Sequence, residues 1–537
     1  MKKLLVLFFI SFSFTMFAQE DAWVYFNGKP QAQNFIDNPL TMLTQRALDR
    51  RITQSIAIDI LDVPIDENYI LQVQNANGIT IEAKSKWLNA LHIRGSVSNI
   101  NALTALPFVS SVAFADRSLN TGGKLHTPKQ VSQQKVMETA TIFPYGNSAN
   151  QIEMLSGNVL HEQNFTGAGK IIAVIDAGFP GVNTSQPFAR LRNNNLILGG
   201  YDYVNRNANF YSGHAHGTMV LSTMGGYVPN QLVGTAPDAS YYLFITEDSN
   251  NETPLEESLW VEAVEEADRL GVDIVNTSLG YFDYDNPSYN YTYEELDGVT
   301  SFASRGADFA YAKGMIVVVS AGNSALTSNP YISVPADAEH VLTIGSVTSD
   351  GNYSSFSSIG YTSDGRVKPD VAAQGTDAVL AMPDGSIATA SGTSFSSPII
   401  AGLVASLWQA YPNYTNGQIM QLLKESASQY TNPDEELGYG IPDFDLALTN
   451  GPLSVTSSIL GSSRVFPNPL SETLTVASTH DAELQYIEVY SIFGQSVYKS
   501  SLSGTTRTIN LSTLSAGIYI YKIESSKGFS TGKIQKK

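Results

Sequence analysis

The sequence predicts an α/β protein: a parallel sheet with helices on both faces, preceded by a small α+β domain and followed by a small β-sandwich. Three observations carry that expectation. Between Gly167 and Leu448, apolar runs at 171–175, 241–245, 272–277, 315–319 and 341–347 alternate with helical patterns. Strands that are apolar throughout belong in a parallel sheet covered on both sides. Upstream, residues 87–94 alternate as a strand, 96–106 fit a short helix and 108–115 return as a strand, the pattern of a small α+β unit. After Asn450 and Gly451 the helices stop, and short alternating runs follow at 474–476, 487–490 and 518–523 with a turn at Phe493, Gly494 and Gln495.

The chain has 537 residues, enough for three or four domains of about 150 residues. It has no cysteine and a net charge of -19, which exclude a disulfide scaffold and argue against a nucleic-acid partner, whose binder should be basic. The acidity has an address: residues 150–454 hold 10 basic side chains against 34 acidic ones.

Taken in order, Lys2 and Lys3 precede an apolar run from Leu4 to Phe17 that ends at Ala18, so residues 1–18 read as a secretory signal peptide. Residues 20–117 form the α+β domain. Residues 118–150 are rich in Thr, Gln, Ser, Lys and Asn with little periodicity and read as a linker. Residues 151–450 hold the parallel sheet. One of its helices is well marked: Thr253 as cap, Pro254 at the first position and Glu256 completing a capping box. Leu255, Leu259, Ala263, Ala267 and Leu270 line one face before Gly271. Residues 464–537 are the β-sandwich.

Four positions carry chemistry. In the octapeptide at 391–398, Ser394 opens a helix, where unpaired N–H groups and the helix dipole favour a developing negative charge. A simple helix cap is the alternative for this stretch alone. A nucleophilic serine needs a base, and His216 in His-Gly-Thr is the candidate, with His214 a neighbour on the rim. Asp176 ends an apolar strand, the place where open α/β sheets put their sites, and could orient the base; a turn-capping Asp is the alternative. Asn323 also follows an apolar strand, where its amide could donate to an oxyanion or serve only as a turn residue.

Together these positions resemble the subtilisin-like serine peptidase family over residues 167–448, in the chain order Asp, His, Ser. The resemblance implies Ser394 as nucleophile, His216 as general acid/base, Asp176 fixing the imidazole, and Asn323 with the Ser394 N–H as oxyanion hole. Ala177 stands where the family usually has Ser or Thr, so a secondary hydrogen bond beside Asp176 is missing from the pattern. The related sedolisins, with Glu as base and Asp at the oxyanion position, do not match His216 and Asn323.

By the same resemblance, Ser278, Leu279 and Gly280 form the edge that pairs with an extended substrate, and Ser320, Ala321 and Gly322 the opposite wall of its primary pocket. Small residues there imply a roomy apolar pocket and broad endopeptidase specificity. The insertion at 281–297, with five tyrosines among acidic residues, reads as a rim loop over the cleft, a calcium site or a solvated loop. No cofactor is needed for the chemistry, and structural calcium is an open expectation.

Residues 20–117 resemble a subtilase prosegment, an intramolecular inhibitor removed by cleavage in the linker. Residues 465–469 (VFPNP), the 514–523 run and the basic end at Lys533, Lys536 and Lys537 resemble the type IX secretion sorting domain of Bacteroidota. The expected partners are thus protein or peptide substrates, the chain's own prosegment and the type IX machinery. The expected place is the cell surface or medium, reached through the periplasm. The rival from another class is a catalytically silent peptide-binding or adhesive protein on the same fold.

Overall fold

The structure is a computed structural model that describes residues 19–120, 143–451, 463–478, 484–491, 496–525 and 528–537. The signal peptide at 1–18, most of the linker and the turn at Phe493, Gly494 and Gln495 lie outside the described residues. The chain divides into two compact units, Met1–Asn450 and Gly451–Lys537.

The first unit begins with strands β1 (Gln19–Phe26), β2 (Ile79–Ser85), β3 (Ala90–Ser96) and β4 (Val109–Phe114) in the antiparallel order β2-β3-β1-β4. The two faces of β1 separate cleanly by period two. Ala22, Val24 and Phe26 pack on this subdomain's own core, whereas Trp23 and Tyr25 pack toward the larger sheet's helices. Trp23 stacks on Phe302 with ring centroids 5.3 Å apart. An arm between β1 and β2 carries helix α1 (Gln45–Thr53), capped by the Thr44 hydroxyl. The expected strand at 87–94 starts only at Ala90. Lys86 and Trp87 instead give their N–H groups to the Glu265 carboxylate at 2.9 Å, and Asn89 turns the chain at φ +48°.

Seven parallel strands follow: β5 (Ile171–Asp176), β6 (Ile197–Asp202), β7 (Ser240–Ile245), β8 (Ile274–Thr277), β9 (Ile316–Ser320), β10 (Leu342–Val347) and β11 (Val371–Gln374), in the order β11-β10-β9-β8-β5-β7-β6. Alternate residues feed two cores. Ile172, Val174, Ile274, Ile316 and Val318 face α2 (His216–Gly225) and α5 (Thr393–Ala410). Ala173, Ile175, Val275, Val317 and Val319 face α3 (Leu255–Leu270) and α4 (Phe302–Ala312). A further helix, α6 (Asn416–Glu425), has a Thr415/Gln418 capping box.

Helix α3 starts at Leu255 without a hydroxyl cap from Thr253. Only half of the expected box forms, with Glu256 reaching back to the Thr253 N–H at 2.9 Å. Gly271 closes the helix at φ +84°, a left-handed position that suits glycine. The two helices on this face are joined by Glu257, buried and hydrogen-bonded throughout. Its Oε1 accepts from Tyr284 (2.6 Å) and Tyr291 (2.7 Å), and its Oε2 from Ser301 Oγ (2.6 Å) and the Ala303 N–H (3.0 Å).

The second unit is a β-sandwich. One antiparallel sheet joins β12 (Ser463–Phe466), β13 (Thr473–Ser478) and β16 (Thr506–Asn510); the other joins β14 (Leu484–Ser491), β15 (Ser496–Ser501), β17 (Gly517–Ser525) and β18 (Gly528–Lys536). Leu474, Val476, Ile487, Val489 and Ile523 share its core.

Glu257→Ala would leave two buried phenols, a serine hydroxyl and a helix-start N–H without their acceptor. Denaturant titration should show the unfolding free energy reduced by about 3 kcal/mol.

Candidate functional site

Helix α5 carries a proline, Pro398, one turn after its start. A proline has no N–H to give to the carbonyl four residues back, which here belongs to Ser394. That carbonyl takes the Ser278 hydroxyl instead, at 2.9 Å. Asn276 Nδ2 in turn donates to Ser278 Oγ (3.2 Å), and Asn276 Oδ1 accepts from Ser397 Oγ (3.2 Å). The first turn of α5 is thus fixed to the segment leaving β8. Ser394 Oγ points at the Ser278 carbonyl, at 3.5 Å.

His216 is the first residue of α2, and its ring lies 6.0 Å from that of Phe395, next to Ser394. Its Nδ1 meets Asp176 Oδ1 at 2.8 Å. No hydrogen bond joins Ser394 Oγ to His216 in this resting arrangement, and such bonds commonly tighten only when substrate is bound. His214 is exposed, and its Nδ1 accepts the His216 N–H at 3.3 Å, so it borders the site without entering it. Burial by itself would lower the His216 pKa. The Asp176 charge, the hydrogen bond to it and a smaller contribution from Glu247 outweigh burial, and the pKa is raised.

Asp176 is fully buried at the carboxyl end of β5. Oδ1 also accepts the Ala177 N–H at 2.8 Å, while Oδ2 has no protein partner. This is the physical correlate of alanine at 177: no hydroxyl is there to reach the second oxygen.

Asn323 follows β9. Its Oδ1 accepts both the N–H (2.9 Å) and the hydroxyl (3.1 Å) of Thr393, which fixes the amide so that Nδ2 faces away from Thr393. A Cβ placed on Gly392 would lie 3.6 Å from Asn323 Nδ2 and 3.7 Å from the Ser394 N–H nitrogen. Both donors therefore border one small space that glycine leaves open.

The two expected substrate walls flank this space. Ser278 is buried, whereas Leu279 is half-buried and Gly280 exposed. A Cβ on Gly280 would meet Ser333 Oγ at 2.0 Å, so a larger residue there requires the serine side chain to turn away. Across from it, Ser320 and Ala321 are buried and Gly322 turns at φ +105°. The Gly322 N–H donates to Thr393 Oγ1 at 3.1 Å, linking this wall to the serine turn.

The insertion at 281–297 is not a solvated loop. Tyr281, Tyr284, Tyr289 and Tyr291 are buried, because their hydroxyls find carboxylate partners in Glu247, Glu257 and Glu20. Arg117, at the end of the N-terminal subdomain, lies 3.9 Å over the Tyr291 ring. It donates to the carbonyls of Tyr289 (2.7 Å) and Asn290 (2.9 Å) and pairs with Glu295 at 3.2 Å. Among the described residues, no group of three or more His, Cys, Asp or Glu is placed to hold a metal ion.

One residue beside the site was not legible beforehand. Glu247, just past β7, accepts from Thr246 Oγ1 (2.6 Å) and Tyr281 OH (2.8 Å), and burial raises its pKa to about 7. No motif surrounds it; only its position after an apolar strand could have signalled it.

The subtilase family matches residues 167–440, just over half of the chain. A peptidase S8 propeptide domain of Bacteroidota matches residues 21–135, and a secretion system C-terminal sorting domain matches 464–537. Subtilisin DY of Bacillus licheniformis is 29% identical over 303 residues, which cover 56% of this chain and 96% of that protein. Subtilisin NAT of Bacillus subtilis subsp. natto is 29% identical over 299 residues, covering 55% and 68%. Serine protease AprX of Bacillus subtilis (strain 168) is 29% identical over 311 residues, covering 52% and 66%.

Ala177→Ser would place a hydroxyl beside the unpartnered Asp176 Oδ2. Satisfying a buried acceptor should add about 1 kcal/mol of stability, read as a higher thermal midpoint.

Proposed function

The chain belongs to the subtilase family of serine peptidases, and from that membership we propose that it is an endopeptidase that cleaves peptide bonds through an acyl-enzyme on Ser394. It is an exported protein, since it carries a type IX sorting domain and a propeptide domain.

The observation that carries the proposal is the convergence of His216 hydrogen-bonded to a buried Asp176, a helix-start serine and two N–H donors around one open space. In the proposed reaction His216 Nε2 takes the Ser394 proton as the oxygen adds to the substrate carbonyl. Asp176 keeps the proton of the imidazole on Nδ1 and balances the imidazolium. Asn323 Nδ2 and the Ser394 N–H receive the oxyanion. The leaving amine departs with the proton held by His216, and water then repeats the sequence on the ester.

Substrate would lie extended along Ser278, Leu279 and Gly280. The Leu279 and Gly280 N–H groups make no hydrogen bond among the described residues, which leaves this edge free to pair. The small residues Ser320, Ala321 and Gly322 favour a broad primary specificity. Residues 20–117 would act as an intramolecular inhibitor until cut in the linker, and residues from about 464 would be removed at the surface. Structural calcium is not required by any step.

A serine-directed fluorophosphonate should label the processed protein and not Ser394→Ala. A correctly processed protein that takes no label overturns the peptidase reading in favour of a silent peptide binder. The pH profile supplies a second check. A base with a raised pKa is protonated at higher pH, so kcat/KM should fall on the acid side with a midpoint above the ordinary histidine value of about 6.5. In Asp176→Asn the imidazolium loses its partner, and the midpoint should move to lower pH while kcat drops by about 10⁴.

A further inference from the structure

The arm between β1 and β2, residues 27–78, makes contacts that inhibition of a cleft would not require. The catalytic groups sit at the carboxyl ends of β5, β8 and β9. The arm grips the opposite ends of the same strands. Arg46 donates to the carbonyls of Gly169 and Gly271 and pairs with Asp273. Arg50 donates to the Val272 carbonyl and pairs with Asp268. Arg51 bridges Asp268 and Asp62 and donates to the Lys313 carbonyl. Gln54 donates to the Gly314 carbonyl at 2.8 Å and accepts the Asn416 N–H at 2.9 Å, at the start of α6.

Two charges of the larger domain depend on this arm and the adjoining hairpin. Asp268 is 0% exposed, and its ion-pair partners, Arg50, Arg51 and Lys86, all come from the N-terminal subdomain. Lys313 is 1% exposed and pairs with Asp59 and Asp62, again from the arm. Lys29 ties the arm back to its own subdomain through the carbonyls of Ile60, Val63 and Lys86. Buried ion pairs hold their geometry only while both partners stay. At about 3.3 Å per residue the strands span roughly 10–17 Å, so this contact lies at the far end of the sheet from Ser394 and can persist while the cleft is open.

We infer that the surface formed by Gly271–Asp273, Asp268, Lys313–Gly314 and Asn416 is a permanent docking site for the arm. The arm stays bound as a non-covalent subunit of the working peptidase after the linker is cut and the cleft vacated. This rests on reading residues 20–117 as a prosegment and separates its two tasks: the arm anchors and completes the domain, and the inhibitory contact lies elsewhere.

The test uses the full chain in two forms. Ser394→Ala full-length protein is nicked in the linker with trypsin, which has Lys124, Lys129 and Lys135 to cut at, and run on gel filtration at micromolar concentration in 0.15 M and 1 M NaCl. The N-terminal fragment should co-elute with the peptidase domain at both salts. Adding Arg50→Ala and Arg51→Ala should weaken retention at least a hundredfold, while Gln33→Ala, at an exposed side chain whose hydrogen bond to Asp37 stays within the arm, leaves it unchanged. Should the double variant fail to fold, Arg46→Ala, on a 41% exposed side chain, and Gln54→Ala should each weaken it about tenfold. In the self-processed wild type, intact mass of the peak that hydrolyses peptide at full rate should include the arm. Separation of the nicked fragment without these substitutions, equal retention by the arm variants, or full activity only once the arm is gone would each overturn the inference. Retention is read without hydrolysis, so a chain that takes no fluorophosphonate would sink the peptidase reading and leave this measurement standing.

Discussion

Pro398 withholds the N–H that the first turn of α5 would otherwise give to the Ser394 carbonyl, and the Ser278 hydroxyl supplies the replacement. Much of the site follows from this one substitution of donors. It ties the serine turn to the segment where a substrate would pair, and the Asn276–Ser397 contact braces the same joint from beneath. On the other side of Ser394, Thr393 uses its N–H and hydroxyl on Asn323 and also accepts from Gly322. A helix that begins with an internal defect is therefore stitched to two separate strands at its first turn. Small displacements of a reacting oxygen are costly for catalysis, so this rigidity suits the role proposed for Ser394.

The parallel sheet imposes a polarity on everything else. The groups proposed to face a substrate collect at the carboxyl ends, where Asp176, Ser278 and Ser320 end or follow their strands. The amino ends are left to structure, and there the arm meets Gly169, Asp273 and Gly314. The negative charge of residues 150–454 is partly explained by this division. Glu265 and Asp268 on α3 take N–H groups and cations from the N-terminal subdomain, so they serve an interface rather than a solvated face.

Legibility in the sequence followed how local the chemistry is. The surroundings of His216 and Ser394 are short stretches of sequence, and beside His216 a helix start close to neighbouring backbone demands Gly217, whose Cβ would meet the Gly178 carbonyl at 2.5 Å. The sheet was legible where strands are apolar on both faces. It was missed at β6, whose Gly199 and Gly200 break the run, and at β11, where the small Ala372 and Ala373 leave a weak apolar signal. The helix-like residues at 45–53 carry no signal of where they dock, because Arg50 and Arg51 look like solvated charges until Asp268 is folded against them. Glu247 and Glu257 were equally silent: a buried carboxylate depends on hydroxyls from a loop more than thirty residues away. Thr253 failed as a cap since α3 begins two residues later, with Glu256 alone completing its half of the box.

The arm also has a bearing on how the chain assembles over time. Arg50 and Asp268 are 218 residues apart, and Arg51 and the Lys313 carbonyl 262 apart. Contacts of such long range form only after a large loop has closed, and they slow folding. A segment synthesised well before its partners is accordingly among the last to find its place. Until it does, the amino ends of β8 and β9 lack their ionic closure, so the order of synthesis and the order of assembly run in opposite directions.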